Sequence, residues 1–294
     1  MKKLFKACLA VAMAATLVAC GGEAKANIAK YGLGVTSTYN ESNGQVNTTF
    51  VALGLDSEGK IAYIDLDVAQ STFADAAKAK TETKEELKEA YGMTVASPIG
   101  KEWYQQAEAF ETWAKGKTPA DVVAVELVES NGHMVAANEA DLYAGCTMDI
   151  SAFQTAVEKA AANAREVAAD KVVLGRVMEN GTALNTTLVV YALDKDGKVV
   201  DSILDVAQIK AGVVETKAER KEAYGMKVAS PIAKEWYEQA KAWEAWTVGK
   251  TLDAIVAVET VESNGHMVAA NEADLYAGCT MDITSFQAAT KKAK

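Results

Sequence analysis

The sequence predicts an α+β fold built as two tandem repeats, each an antiparallel sheet with packed helices. Residues 128–150 and 261–283 are identical at all 23 positions, which marks an internal duplication. Each half begins with β-rich runs and ends with helical patterns, and separate runs of strands and helices are typical of α+β proteins. Each unit spans about 130 residues, enough to bury its own core, so the repeats predict two domains rather than a solenoid.

The duplication extends well beyond the identical block. Residues 96–118 match residues 229–251 at an offset of 133. Upstream of Gln70 the offset becomes 138, so the first copy carries five additional residues in the loop after Gln70. We therefore expect domains at 31–166 and 167–294.

Strands are predicted where β-branched residues cluster. In the first repeat they are Asn47–Leu55, Ile61–Val68 and Val122–Val128; in the second they are Leu184–Leu193, Val199–Val206 and Ile255–Val261. Hairpin turns are predicted at Asp56–Gly59, at Asp194–Gly197 and at the Asn-Gly pairs at 43–44, 131–132, 180–181 and 264–265. The Asp194–Gly197 stretch lacks the downstream glutamate of a calcium loop, so a turn is the better interpretation.

Two helices per repeat are predicted from their start signals. Ser97-Pro98 places serine at an N-cap and proline at N1, and Gly116 predicts the end of that helix. One apolar face follows from helical spacing of Ile99, Trp103, Ala107, Phe110 and Trp113. The second helix is expected at Ser151, where Ser151 and Gln154 form a capping-box pattern. The second repeat has the same pattern at Thr284 and Gln287.

The amino terminus has the features of an export signal. A short lysine-rich stretch precedes the apolar run Ala7–Val18, which is too short to span a bilayer. The run ends in Leu17-Val18-Ala19-Cys20-Gly21, which resembles the lipobox of bacterial lipoproteins. The resemblance implies a signal peptide at 1–19, a diacylglycerol on Cys20, a flexible tether at 20–30 and a location at the extracytoplasmic face of the cell membrane. The alternative is an ordinary secretory signal with a chance cysteine.

Charge and cysteine content argue against two classes of protein. The whole chain has a formal net charge of −10, and removal of residues 1–19 takes away three lysines and no acid, leaving −13. Such acidity, with no basic stripe, disfavours a nucleic-acid partner. Cys146 and Cys279 lie at equivalent positions of the two repeats, so a disulfide framework within one domain is excluded.

The centre of the identical block reads DLYAGCT, at Asp141–Thr147 and at Asp274–Thr280. A helix is expected to start four residues after Thr147, and helix starts favour a nearby phosphate. Ala144, Gly145 and Cys146 are small, so a bulky group can approach the threonine hydroxyl. These features fit a threonine that carries or touches a phosphate. They also fit a tight turn between a strand and a helix.

The segment resembles the D-x-x-[ST]-G-[AS]-T signature on which a flavin transferase attaches FMN to threonine. A wider series of motifs (TK, YGM, S-x-I-x-x-EW, GKT and DL-x-AGCT) occurs twice and is similar to the two-domain flavin lipoproteins of Gram-positive extracellular electron transfer, in the FMN-binding domain family related to the Nqr and Rnf flavin subunits. The matching positions are the modified Thr147 and Thr280, the acids Asp141 and Asp274, and the small residues Ala144, Gly145, Cys146, Ala277, Gly278 and Cys279. Alanine replaces the more common Ser or Thr, and cysteine replaces Ala or Ser.

The resemblance implies a membrane-anchored electron carrier with two covalent FMN groups. Its partners would be the flavin transferase, a quinol-linked membrane donor and an extracellular acceptor (soluble flavin, ferric iron or a reductase). Candidate flavin contacts are Lys84, Tyr91, Met93, Trp103, Tyr143, Lys217, Tyr224, Met226, Trp236 and Tyr276. The alternatives are that the tryptophans belong to the core and that the lysines are solvated.

Other functions remain open on the residues alone. A ligand-binding lipoprotein that takes up free flavin or another phosphorylated molecule is the main alternative, and a structural surface module is a third. No nucleophile–histidine–acid triad or phosphate-binding loop is present, so a carrier is favoured over a stand-alone enzyme. His133 and His266 each follow an Asn-Gly pair with no second ligand at metal-binding spacing, so an exposed turn is expected rather than a metal site.

Overall fold

The computed structural model describes residues 28–72 and 80–293 and confirms the α+β class. The first half contains β1 (Ile28–Asn40), β2 (Gln45–Leu55), β3 (Ile61–Thr72), α1 (Lys84–Leu87), α2 (Trp103–Ala114), α3 (Pro119–Val123), β4 (Leu127–Ser130), β5 (His133–Ala136), α4 (Ala140–Gly145), α5 (Ser151–Ala162) and β6 (Arg165–Ala169). The second half contains β7 (Lys171–Asn180), β8 (Leu184–Leu193), β9 (Val199–Ile209), α6 (Lys217–Arg220), α7 (Trp236–Thr247), α8 (Leu252–Val256), β10 (Thr260–Ser263), β11 (His266–Ala269), α9 (Ala273–Gly278) and α10 (Thr284–Lys292). Short 3₁₀ turns follow α1 and α6.

Two antiparallel sheets form the centre of the molecule. The first has the order β3-β2-β1-β6 and the second has the order β7-β8-β9. The small hairpins β4-β5 and β10-β11 complete the strands of the described residues. All six predicted turns connect these strands, and the φ angles of 67° at Gly44 and 82° at Gly132 favour glycine at those two turns.

Two of the predicted domain limits fall inside strands. β1 begins at Ile28, within the predicted tether, and the predicted boundary at 166/167 lies within β6. The signal peptide and Cys20 lie outside the described residues, as does most of the predicted insertion after Gln70. Among the described residues, no helix has the length and apolar character needed to cross a membrane.

The two sheets pack against each other through one shared apolar core. Tyr31 and Phe50 of the first sheet and Leu188 and Val190 of the second are buried in this layer. The opposite face of each sheet is covered by its own helices, α2 and α5 in the first repeat and α7 and α10 in the second. Because each sheet buries both faces, its strands carry apolar residues on both sides.

Ion pairs across this interface are reciprocal. Lys159 Nζ of α5 lies 2.7 Å from Glu219 of α6, and Lys292 Nζ of α10 lies 2.6 Å from Glu86 of α1. Both pairs join equivalent positions of the two repeats, so the repeats are arranged about a pseudo-twofold axis. Arg176 breaks this symmetry, because its guanidinium on β7 contacts Asp65 and Asp67 of β3 at 2.9 Å and also Glu85.

Two of the predicted strands were wrong. Val122 lies in α3 rather than at the start of a strand, and the strand begins only at Leu127. Ile255 likewise lies in α8, and β10 starts at Thr260. Tertiary packing decides both cases, because Val122 and Ile255 are buried under α5 and α10.

The start predicted for the first helix was wrong, whereas that of the second was confirmed, because α5 begins at Ser151 and α10 at Thr284. The helix expected at Ser97-Pro98 begins at Trp103, because Glu102 acts as its N-cap and forms a capping box with Gln105. The capping box expected at Ser151 and Gln154 is absent. The Ser151 N–H donates to Asp149 instead, and Gln154 donates to the carbonyls of Val122, Val123 and Val125. In the second repeat the Thr284 N–H donates to Asp282, and Gln287 donates to the carbonyls of Ile255, Val256 and Val258.

Candidate functional site

Each repeat contains a large cavity at the turn end of its sheet. In the first repeat it measures about 680 Å³ and in the second about 520 Å³, within the ~300–1,000 Å³ of typical small-molecule sites. The first cavity is bounded by the ends of β1, β2 and β3, by α1, the start of α2, the hairpin β4-β5 and the loop between α4 and α5. Its lining from the sheet and hairpin includes Thr38, Asn47, Thr49, Val68, Gln70, Ser130, Asn131, His133 and Val135, and from the helices and loops Lys84, Tyr91, Met93, Trp103, Gln106, Tyr143, Thr147, Met148 and Asp149.

Thr147 lies in the wall of this cavity, in the loop between α4 and α5. Thr147 is only 8% exposed, so it does not lie on the open bend that the sequence suggested. Its N–H donates to Gln106 Oε1 at 2.8 Å, and its hydroxyl lies 3.3 Å from the same oxygen. The short bond is the one from the amide, so the backbone rather than the hydroxyl anchors the loop.

Gln106 is a site residue that the sequence analysis missed. It lies on α2, is 1% exposed, and its Nε2 donates to Ser97 Oγ at 2.9 Å and to the Lys101 carbonyl at 3.2 Å. The glutamine therefore connects the threonine loop to the segment before α2. The sequence did contain a signal for this residue. Glutamine is kept at the equivalent position, Gln239, although neighbouring polar positions of the helix differ between the repeats.

A lysine and two aromatic rings form another part of the wall. Lys84 Nζ lies 5.0 Å from the Tyr91 ring centre and 5.7 Å from that of Trp103, within cation–π range. Burial lowers the pKa of Lys84 to about 8. Trp103 is 3% exposed and packs edge-on against Phe153, so it belongs to the core and lines the cavity at once.

Asp67 holds the segment that carries Lys84. Its Oδ1 accepts from the N–H of Glu85 at 3.0 Å and from that of Val68 at 2.6 Å. Burial raises the pKa of Asp67 to about 7 despite the neighbouring Arg176. The start of α1 is therefore fixed to β3 at the edge of the cavity.

Glu102 fixes the turn that contains Met93. Its carboxylate accepts from the N–H groups of Met93 at 2.7 Å and Thr94 at 3.1 Å, and also from the Thr94 hydroxyl. These bonds lower the pKa of Glu102, the Thr94 hydroxyl contributing most. Tyr91 and Met93 are thereby placed in the cavity wall by the N-cap of α2.

The small residues of DLYAGCT have packing roles. A Cβ added to Gly145 would lie 2.8 Å from Ala109 Cβ, so α4 approaches α2 as closely as glycine permits. Cys146 is 1% exposed in the core, and burial raises the pKa of its thiol to about 11. Ala144 and Asp141 are exposed and lie outside the cavity lining. The structure thus places Asp141 on the outer surface of the same turn.

The helix that follows Thr147 has its own anionic cap. Asp149 Oδ1 accepts from the Ser151 N–H at 2.9 Å and from the Ser151 hydroxyl at 2.5 Å. A carboxylate already occupies the start of α5, so this helix start is not the free phosphate site that the sequence suggested.

The second repeat reproduces this geometry. The Thr280 N–H donates to Gln239 Oε1 at 2.8 Å, and Gln239 donates to Ser230 Oγ at 2.9 Å. Lys217 Nζ lies 5.2 Å from the Tyr224 ring and 5.7 Å from the Trp236 ring. All of these residues and Met226 line the cavity of about 520 Å³, whereas Asp274 and Ala277 are exposed. A Cβ on Gly278 would lie 2.6 Å from Ala242 Cβ, and Cys279 is buried.

The remaining candidates differ in position. Tyr143 and Tyr276 are each 41% exposed; Tyr143 lines the first cavity, whereas Tyr276 lies outside the lining of the second. His133 and His266 are exposed beside their hairpin turns and line the cavities. In the described part of the chain, no three His, Cys, Asp or Glu residues are grouped to hold a metal ion.

Comparisons with known proteins give one informative relative. No protein-family model and no solved structure matches the chain. Over 116 residues the chain is 32% identical to a protein named chlorophenol reductase from Desulfitobacterium hafniense. The match covers 31% of this chain and 36% of that protein, so the chain spans about a third of the length of this relative.

Proposed function

We propose that the protein is an electron carrier that holds one FMN in each cavity, linked as a phosphoester to Thr147 and Thr280. The observation that carries the proposal is the duplicated geometry. In each repeat the threonine of DLYAGCT, a lysine above two aromatic rings and the YGM turn line one cavity of ligand size. The reductase relative is compatible with a redox role.

The residues of the cavity fit a flavin mononucleotide. Tyr91, Met93 and Trp103 provide apolar surface for a flat ring, and the side chains of Asn47 and Gln70 provide hydrogen-bonding groups for a polar ring edge. Lys84 supplies a positive charge for an anionic group. Bound FMN would supply the electron-transfer chemistry, and the protein would position and tune it.

The threonine is also suited to carry a permanent link. Esterification removes the hydroxyl proton of Thr147, which costs only its 3.3 Å contact with Gln106. The 2.8 Å bond from the Thr147 N–H remains, so the loop keeps its anchor. The exposed Asp141 lies six residues before Thr147 on the outer surface, where a flavin transferase can reach it.

The cellular setting is part of the proposal. We infer a lipid anchor on Cys20 and a position at the extracytoplasmic face of the membrane, which rest on the lipobox resemblance. A quinol-linked membrane donor and an extracellular flavin, ferric iron or reductase acceptor follow from the same resemblance.

The test uses protein produced with a flavin transferase and separates the two sites. Thr147→Val and Thr280→Val preserve side-chain shape and remove the hydroxyl, so each should lose one of two flavins by intact mass. Flavin fluorescence should remain on a denaturing gel for either single variant and vanish for the double variant. Thr→Ser at either position should retain attachment. Native protein that releases all flavin on denaturation would instead support the uptake lipoprotein.

A further inference from the structure

The two cavities share most of their lining residues but differ in charge. Each contains one lysine above its tyrosine and one capping aspartate, Lys84 with Asp149 in the first and Lys217 with Asp282 in the second. Each tyrosine also has a second cation close to its ring. Lys80 Nζ lies 4.9 Å from the Tyr91 ring centre, and the Arg220 guanidinium lies 5.1 Å from that of Tyr224.

One acid in the cavity lining has no counterpart. Glu179 of β7 lines the second cavity, and Thr38 of β1 lines the first. The strand registers show that these positions are equivalent, since Thr38 pairs with Asn47 and Glu179 pairs with Asn185. The second cavity therefore has one more negative charge in its lining than the first.

The residue after Glu179, Asn180, is hydrogen-bonded to the first repeat. Ser71 Oγ of β3 donates to Asn180 Oδ1 at 2.6 Å, and Asn180 Nδ2 donates to the carbonyl of Lys80. Lys80 in turn reaches the Tyr91 ring of the first cavity. Asn180 therefore connects the strand that carries Glu179 to Lys80, the residue beside Tyr91 of the first cavity.

We propose that Glu179 makes the second site the lower-potential one of the two, so that electrons flow within one molecule from the site at Thr280 to the site at Thr147. This inference rests on the proposed function. Reduction places negative charge on a flavin, so a nearby carboxylate opposes it and lowers the midpoint potential. In the transfer, the anionic reduced flavin at Thr280 loses two electrons and one proton and is oxidised, and the flavin at Thr147 gains the two electrons and takes one proton from solvent.

The experiment compares single-flavin proteins. Thr280→Val leaves only the first site and Thr147→Val only the second, and each is titrated by spectroelectrochemistry at low ionic strength. The second site should have the lower midpoint potential, and the difference should shrink in high salt because Glu179 is exposed and screened. Flavin per chain is measured on the same samples after denaturation.

Charge swaps then test the cause. Glu179→Gln and Glu179→Thr, both at an exposed position, should raise the potential of the second site. Thr38→Glu should lower that of the first. Glu58→Gln, in an exposed turn away from both cavities, is the matched control and should change neither. If flavin content is full but the two midpoint potentials are equal, or Glu179→Gln leaves the potential of the second site unchanged, this inference alone is overturned. If the chains carry no covalent flavin, the proposed function is overturned as well.

Discussion

Gln106→Leu tests whether one buried amide holds the threonine loop in place. Leucine has nearly the volume of glutamine, so the change removes hydrogen bonds with little change in packing. It leaves the Thr147 N–H without its acceptor and the Lys101 carbonyl without its donor, and the Ser97 hydroxyl keeps only the Lys101 N–H as a donor. The Gln106 side chain that makes these bonds is only 1% exposed.

The size of the effect follows from these lost bonds. A buried polar group left without a partner costs about 1–3 kcal/mol. The Thr147 N–H bears most of this cost, because the bond at 2.8 Å is short and Thr147 is buried. The carbonyl and the hydroxyl are better able to find water. We therefore expect the free energy of unfolding to fall by about 2–4 kcal/mol.

The assay is urea unfolding followed by tryptophan fluorescence, with the mass of the Thr147 and Thr280 peptides as a second readout. Gln106→Leu should reduce flavin attachment at Thr147 and leave attachment at Thr280 unchanged, and Gln239→Leu should do the reverse. Glu108→Gln, exposed on the same helix, should change stability by no more than about 0.5 kcal/mol. The reasoning is refuted if Gln106→Leu matches this control in stability and in attachment.

Two further predictions concern packing and pH. Gly278→Ala should destabilise the protein by about 1–3 kcal/mol in thermal unfolding, because the new Cβ would lie 2.6 Å from Ala242 Cβ. Adding Ala242→Gly to the same chain should restore most of the lost stability. If the effects of the two substitutions simply add, the contact is contradicted. Burial raises the pKa of Asp205 to about 6, above the ~3.9 of an unfolded chain, so its contribution to stability is complete below about pH 4 and is lost as the pH rises to about 6. Asp205→Asn should therefore gain up to about 3 kcal/mol relative to the native protein between pH 4 and pH 6 in urea unfolding; parallel pH profiles would contradict this.

Hairpins were predicted from the sequence because their signals are local. An Asn-Gly pair between alternating residues specifies both the turn and the strands beside it, as at Asn131-Gly132 between β4 and β5. The start of α2 was predicted wrongly because side chains outside the local pattern decide it. Glu102 begins α2 while binding the N–H groups of Met93 and Thr94, and no local pattern announces that second task.

The candidate site shows the same division. The sequence indicated Thr147, Lys84, Tyr91 and Met93, and the structure brings all four to one cavity. It did not indicate Gln106, because contact with Thr147 joins residues 41 positions apart. Arg176 was equally hidden, since its partner Asp65 is 111 positions away on the other sheet.

The identical block has a physical explanation in the lining of the cavities. In the first repeat the block supplies the hairpin turn around Asn131, the anchored Thr147 and the capping Asp149, and the equivalent residues line the second cavity. The strands face different surroundings, because they also form the contact between repeats. There Arg176 replaces a valine and Glu179 replaces a threonine, so the sequence differs where the sheets meet or where the charge of a cavity is set. A common cavity lining in the two repeats, with different interfaces around it, accounts for identical loop residues beside strands that have diverged.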